Sequence, residues 1–201
     1  MISITINKDD LGRIKSILSK LRVKDKQGAF IKALTKATLE IESKLKTAVT
    51  NDILHVRSGR LRSSIGSIIT ESGNSIIGLI GSGVRQGDRV KYADIQETGG
   101  IVKPKNSKYL AVPLPAALTP AGVLRRKPRD WPDTFVMKSG NGNLLIVQKK
   151  GKRVTRLVAL FILKKQVTIP ASHYMSRVAE NMQGKVTDII MDGIRAEVES
   201  K

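Results

Sequence analysis

Between residues 29 and 51 the apolar side chains keep to one face of a helix. Phe30, Ala33, Leu34, Ala37, Ile41, Leu45, Ala48 and Val49 recur at spacings of three and four, while Lys32, Lys36, Glu40, Lys44 and Lys46 lie mostly off the stripe. A helix that is apolar along one side has to be covered by a second layer, so the rest of the chain must supply one. Glu40 and Lys44 are placed as a favourable i,i+4 pair on the wet side. A second stripe, Val178, Met182, Val186, Ile189, Ile190, Ile194 and Val198, predicts a C-terminal helix. Ser172 is its expected N-cap, and Gly184 and Gly193 weaken it slightly.

Most of what lies between reads as strand. Ile2, Ile4 and Ile6 alternate with polar residues, after which Asp9 or Asp10 can cap a helix carrying Leu11, Ile14, Leu18 and Leu21. Lys24-Asp-Lys-Gln-Gly28 is expected to break that helix. Ser58 can cap one short helical turn, with Leu61 and Ile65 inward and Arg57, Arg60 and Arg62 outward. Residues 65–70 and 75–81 make a hairpin around Ser72-Gly-Asn74, and a flexible loop over residues 81–88 leads to the strand or short helix that carries Tyr92. Residues 134–137 and 144–148 flank Ser139-Gly-Asn-Gly-Asn143, and Gly151 turns the chain again into residues 154–163, a three-stranded meander. The order strand, helices, strands, helix predicts an α+β fold: an antiparallel sheet packed against the long helix and the C-terminal helix, with an inserted β-hairpin or meander. A length of 201 residues fits one such domain. Within it, Pro113, Pro115, Pro120, Pro128 and Pro132 forbid a long regular element, so that stretch is expected to form an extended excursion, part of a basic Pro-rich and β-hairpin insertion at about residues 115–156.

Charge narrows the function more than the fold does. The net charge is +19, and residues 101–165 hold 15 Lys/Arg against 2 Asp/Glu. So concentrated a surplus points to partners: nucleic acid, anionic lipid or an acidic protein surface. The absence of cysteine excludes disulfides, thiolate metal sites and a Cys nucleophile. Residues 157–163 form the longest apolar run, too short to span a bilayer, and the opening residues lack a signal-peptide pattern; no membrane partner is expected.

Residues 92–114 carry the sharpest local features. An apolar-rich piece from Tyr92 turns at Gly99-Gly100, where paired glycines allow φ > 0. A basic segment with Lys103, Lys105 and Lys108 follows, closing on the strand Tyr109-Leu110-Ala-Val112, which Pro113 stops. This predicts two sheet elements joined by a projecting cationic loop, a surface that touches something. Two further basic stretches, Arg125, Arg126, Lys127 and Arg129, then Lys149, Lys150, Lys152 and Arg153, extend it.

Chemistry is harder to find. His55 and His173 lie far apart without metal-ligand spacing. Gly78, Gly81 and Gly83 lack the Lys-Ser/Thr of a phosphate cradle, and Ser58 or Ser63 as nucleophile would need an adjacent base and has no GxSxG elbow. A basic protein with clustered acids could be a metal-dependent nuclease, for which Asp94 with Glu97 is a better pair than Asp130 with Asp133. Surface acids balancing nearby Lys and Arg explain the same residues more simply. Tyr92, Tyr109 and Trp131 are too few for a base-stacking platform. What is left is attraction to phosphates that is strongly salt-dependent and blind to sequence. No enzyme, metal or cofactor is expected.

Three segments together resemble a family. Ser58-Gly59-Arg-Leu61-Arg-Ser-Ser-Ile65, then Tyr92-Ala-x-Ile-Gln-x-x-Gly99-Gly100, then Lys108-Tyr-Leu110-Ala-Val-Pro113, are similar to the TGxLRxSI, YAxxHxxGG and LAIP segments of the tail-completion and virion-morphogenesis proteins of tailed bacteriophages. The resemblance covers residues 29–114 and 157–199, with residues 115–156 as a family-variable insertion. Gln96 stands where histidine is usual, and Pro170-Ala-Ser-His-Tyr174 replaces PxRxF. The resemblance implies a structural virion protein, assembled in the host bacterial cytoplasm into a homo-oligomeric, hexameric ring at the head–tail junction. It also implies neck, connector, portal-side, terminator or tail-tube proteins as neighbours, and double-stranded DNA in the channel, held without base specificity. The competing expectation is a phage-encoded DNA-binding or metal-dependent DNA-processing enzyme.

Overall fold

The apolar stripe finds its cover on two sides. In the computed structural model, which describes residues 2–3, 8–19, 23–54, 58–72, 75–85, 90–151 and 156–199, α1 is Lys8–Leu18 and α2 is Val23–Thr47. α2 runs on into a single π turn, Ala48–Asp52. Its buried line, Ala33, Leu34, Ala37, Ile41, Leu45, Ala48 and Val49, meets a sheet on one flank and a second long helix on the other. The sheet has β1 (Ile2–Ser3), β2 (Ile65–Ser72) and β3 (Ser75–Ser82), antiparallel in the order β1-β3-β2. α3 (Arg60–Ser64) leads into β2, α4 (Ala93–Thr98) follows β3, and α5 (Tyr174–Glu199) packs along α2. From α5 come Tyr174, Val178, Met182, Val186, Ile190, Met191 and Ile194, completing one hydrophobic core.

Where α5 crosses α2, the helices come as close as backbone allows. A Cβ on Gly193 would stand 2.9 Å from Ala33 Cβ and 3.1 Å from Ala33 Cα. The glycine that weakens α5 locally is therefore what lets it pack. Nothing lies within 4 Å of such an atom on Gly184.

A polar knot borders this core, with Glu42 and Ser67 buried while Lys46 and Arg85 reach the solvent. Glu42, 5% exposed, accepts from Lys46 Nζ at 2.6 Å, from Ser67 Oγ at 2.7 Å and from Arg85 Nη2 at 3.0 Å, while Arg85 Nε donates to Ser67 O at 3.0 Å. Burial pushes the carboxyl up, but the hydrogen bonds from Lys46 and Ser67 and the charges of Lys46 and Arg85 outweigh it, leaving the group below its ordinary value. α2, β2 and the loop after β3 are tied at one carboxylate.

The chain divides into two compact units, Met1–Thr98 with Ala171–Lys201, described above, and Gly99–Pro170. The second holds a two-stranded ladder, β4 (Gly100–Val102) against β9 (Val167–Ile169). Its main sheet has β5 (Leu110–Pro113), β6 (Thr134–Lys138), β7 (Leu144–Lys150) and β8 (Arg156–Lys164), antiparallel in the order β5-β8-β7-β6. Leu160 and Phe161 are buried there with Ala117, and Ala111, Trp131, Ile146 and Val158 pack around them. The insertion expected at residues 115–156 lies within this unit, and the meander of β6, β7 and β8 forms as expected.

Several local expectations fail for physical reasons. Lys24–Gly28 does not break a helix but belongs to the first turns of α2: Lys, Asp and Gln tolerate helix, and one glycine costs only about 1 kcal/mol. Asp9 and Asp10 lie inside α1 rather than capping it. Gly59, with φ 71°, and not Ser58, sits at the N-cap of α3, though Leu61 and Ile65 are buried as expected. The i,i+4 ion pair recorded on α2 is Glu42–Lys46 rather than Glu40–Lys44. Pro113 closes β5 from within, paired with Phe161. Residues 114–133 do not extend outward; they fold back through two 3-10 turns, Pro115–Ala117 and Pro128–Asp130, and a Leu118–Leu124 bridge, seating Ala117 on the sheet. His55, Arg57, Gly73, Asn74, Lys152 and Arg153 lie outside the described residues.

Candidate functional site

The charge surplus coincides with the second unit. Residues 99–170 hold the same 15 Lys/Arg and 2 Asp/Glu as residues 101–165, so this unit carries +13 of the chain's +19. Strand register then sorts the cations. At one end of the main sheet Leu110 faces Lys164, Leu144 faces Leu163, and Lys138 faces Leu144. The exposed Lys103, Lys105 and Lys108 of the segment entering β5 belong to this end, with Lys138, Lys164 and Lys165. At the other end Lys150 faces Arg156 and Lys149 faces Leu157. β8 has nine residues, so the two ends are separated by roughly 25–30 Å. The exposed Arg125, Arg126, Lys127 and Arg129 sit on the folded-back segment, which returns to the sheet where Thr134 pairs with Gln148. Sequence reading missed Lys138, Arg156, Lys164 and Lys165, because single cations at strand ends look like ordinary boundary residues until register aligns them.

Three cations lie over aromatic rings: Lys108 Nζ is 5.8 Å from the Tyr109 centroid, Arg126 Cζ 5.9 Å from Trp131, and Lys149 Nζ 5.5 Å from Phe135. Each such contact is worth about 0.5–1 kcal/mol at an exposed site. Trp131 Nε1 donates to Arg126 O at 3.2 Å, and Arg125 Nε to Leu118 O at 2.8 Å, fixing the folded-back segment. The aromatics thus order cations instead of offering free stacking faces.

The Tyr92–Gly100 segment has a different task from the one its loop suggested. Tyr92 is exposed and Ala93 is buried as α4 begins. Gln96 O accepts from Ser172 N at 2.9 Å and Ser172 Oγ at 2.6 Å, and Glu97 O accepts from His173 N at 3.1 Å. Ser172 therefore does not cap α5. Glu97 does so from 78 residues away: Oε2 accepts from Met175 N at 2.8 Å, and Oε1 from Ser176 N at 3.1 Å and Ser176 Oγ at 2.6 Å. Immediately after α4, Gly99 (φ 69°) and Gly100 (φ 153°) take conformations that favour glycine, as the sequence requires. The acid suspected of metal binding is thus engaged in joining two helices. Among the described residues no group of three or more His, Cys, Asp and Glu side chains could hold a metal ion.

Beside this junction lies a cavity of about 350 Å³ lined by residues of β3, its following loop, α4 and α5, Tyr174 among them. Tyr174 is 1% exposed, and its hydroxyl has no hydrogen-bond partner among the described residues. Such a group typically costs about 1–3 kcal/mol. Burial first, then the charges of Glu97 and Asp94, raise its pKa to about 12.

Among the described residues no helix is long and apolar enough to cross a membrane. No family model, curated protein or solved structure matches the chain.

Proposed function

We propose that the chain is a non-enzymatic structural subunit of a tailed phage particle, forming a ring at the head–tail junction around the DNA channel. The observation that carries this reading is the pair of cationic ends on the second unit, roughly 25–30 Å apart. That spacing suits one extended polyanion or two different partners better than a small substrate. Phosphates attract such a surface without any reading of bases, and a channel that lets DNA slide needs that property. Identical subunits meeting through heterologous contacts close into a ring when the rotation permits. The α+β architecture agrees with what the resemblance implies, and the Tyr92–Gly100 motif has a defined place in it, at the α4–α5 junction.

Native mass spectrometry and negative-stain microscopy of the purified chain test this directly. Rings are expected, together with intact duplex DNA after incubation with Mg²⁺ or Mn²⁺. A chain that stays monomeric at every concentration and cleaves phosphodiesters would refute it. In the phage, replacing Lys103, Lys105 and Lys108 by Glu should leave the fold intact and impair particle assembly or DNA passage.

A further inference from the structure

In a chain with a net charge of +19, the Tyr174 cavity has acidic groups around it. Asp94 and Glu97 contribute carboxylates, and Tyr174 contributes a phenol that burial and those charges keep protonated. The rest of the wall includes Gly81, Val84, Ala93 and Met175, which offer hydrocarbon or bare backbone. Tyr174 lines this space, and its hydroxyl is buried with no hydrogen-bond partner among the described residues. An oxygen of that kind can accept a hydrogen bond from an occupant without breaking an existing one. Glu97 brings charge while its oxygens stay engaged with the start of α5.

We propose that this cavity receives an ammonium or guanidinium group on an aliphatic stem, the chemistry of a lysine or arginine side chain. The stem lies against Val84, Ala93 and Met175, the charge is balanced by Asp94 and Glu97, and the donor reaches the Tyr174 oxygen. Anions are excluded by the same two carboxylates, and an uncharged alcohol of equal length lacks the electrostatic part. The cation can come from another copy of this chain, whose second unit is rich in Lys and Arg, or from a free amine. The site stands whether or not the chain assembles into rings.

The test uses the full-length chain. n-Butylammonium chloride is titrated against it by NMR, following Ala93 and Met175, with n-butanol as the uncharged control. Saturable shifts are expected for the amine and not for the alcohol. Tyr174→Phe should weaken amine binding about tenfold, the loss of one hydrogen bond to a charged group, and Asp94→Asn should weaken it as well. Thermal unfolding of Tyr174→Phe checks the fold, which is expected to hold because the hydroxyl has no partner to lose among the described residues. If both probes shift the same residues equally, or if Tyr174→Phe binds the amine as tightly as wild type, the proposal fails. Native mass spectrometry separates the sources: subunit association weakened by Tyr174→Phe assigns the cation to a neighbouring copy, and unchanged association alongside weakened amine binding assigns it to a free amine.

Discussion

Gly184 and Gly193 sit on the same helix nine positions apart, and the structure assigns them opposite fates on substitution by alanine. In each case the helix gains intrinsic propensity of about 0.8–1.0 kcal/mol. At Gly184 the new methyl meets open space, so Gly184→Ala should stabilise by about that amount. At Gly193 the methyl would stand 2.9 Å from one Ala33 carbon and 3.1 Å from another, the latter in the α2 backbone. Neither is the free end of a flexible chain, so α2 and α5 must move apart, at a cost of about 1–3 kcal/mol for overpacking. Gly193→Ala should therefore be neutral to destabilising by about 2 kcal/mol. Urea unfolding followed by far-UV circular dichroism measures this well, since the helical signal arises in the unit that holds α2 and α5. The gap between the two variants, about 1–3 kcal/mol, isolates the packing term from propensity. An Ala33→Gly change on the Gly193→Ala background should recover part of it as a coupling energy. Should Gly193→Ala stabilise as much as Gly184→Ala, the close crossing of α2 and α5 is wrong.

Glu97→Ala removes an N-terminal cap and its charge from α5 and should cost about 2 kcal/mol in denaturant unfolding, with Glu97→Gln losing less; equal stability of the Ala variant would contradict the trans cap. The Glu42 carboxyl lies below its ordinary value when folded, so its contribution is present above the unfolded value of 4.5 and is lost as pH falls through the folded one. Acid unfolding curves should be steeper for wild type than for Glu42→Gln, and parallel curves would count against the knot. Tyr174 works in the opposite window: its raised pKa means stability falls as pH rises from 10 towards 12, by up to roughly 3 kcal/mol, and Tyr174→Phe should flatten that loss. If DNA phosphates meet the Lys103, Lys105 and Lys108 end, changing all three to Gln should lower the log–log salt slope of duplex binding by up to about 2.7. The Lys149, Lys150 and Arg156 set is the matched comparison, and an unaltered slope in both would remove DNA from the list of partners.

What could be read in the sequence was periodic or compositional. Ala33 to Val49 and Val178 to Ile194 declared their buried faces by spacing, the hairpins by Gly and Asn between apolar runs, and the second unit by its excess of Lys and Arg. What could not be read was decided by residues far apart in the chain. Glu42 looks like one more polar residue of α2 until Ser67 and Arg85, 25 and 43 residues on, supply the partners that allow it inside. Glu97 caps a helix whose Met175 lies 78 residues further on, so no local capping pattern announces it, and Ser172, the residue with the right local pattern, donates to Gln96 instead. Gly193 reads as a weak point from propensity alone, and only the position of Ala33 reverses that judgement.

The second unit also answers an electrostatic question that its composition raises. A surplus of +13 on so few residues, with a core built around Leu160, Phe161 and Ala117, opposes its own folding by self-repulsion. Division of the strand-end cations between two ends of the sheet relieves much of this. The ends are separated by roughly 25–30 Å, and charges in water are screened beyond about 8–10 Å at physiological salt. Each end then feels mainly its own members, and the charged heads of Lys108, Arg126 and Lys149 lie over aromatic rings. At about 0.01 M salt the screening length grows to roughly 30 Å, and the two ends come within range of each other. The unit should therefore be least stable in dilute buffer and gain most from a polyanion there.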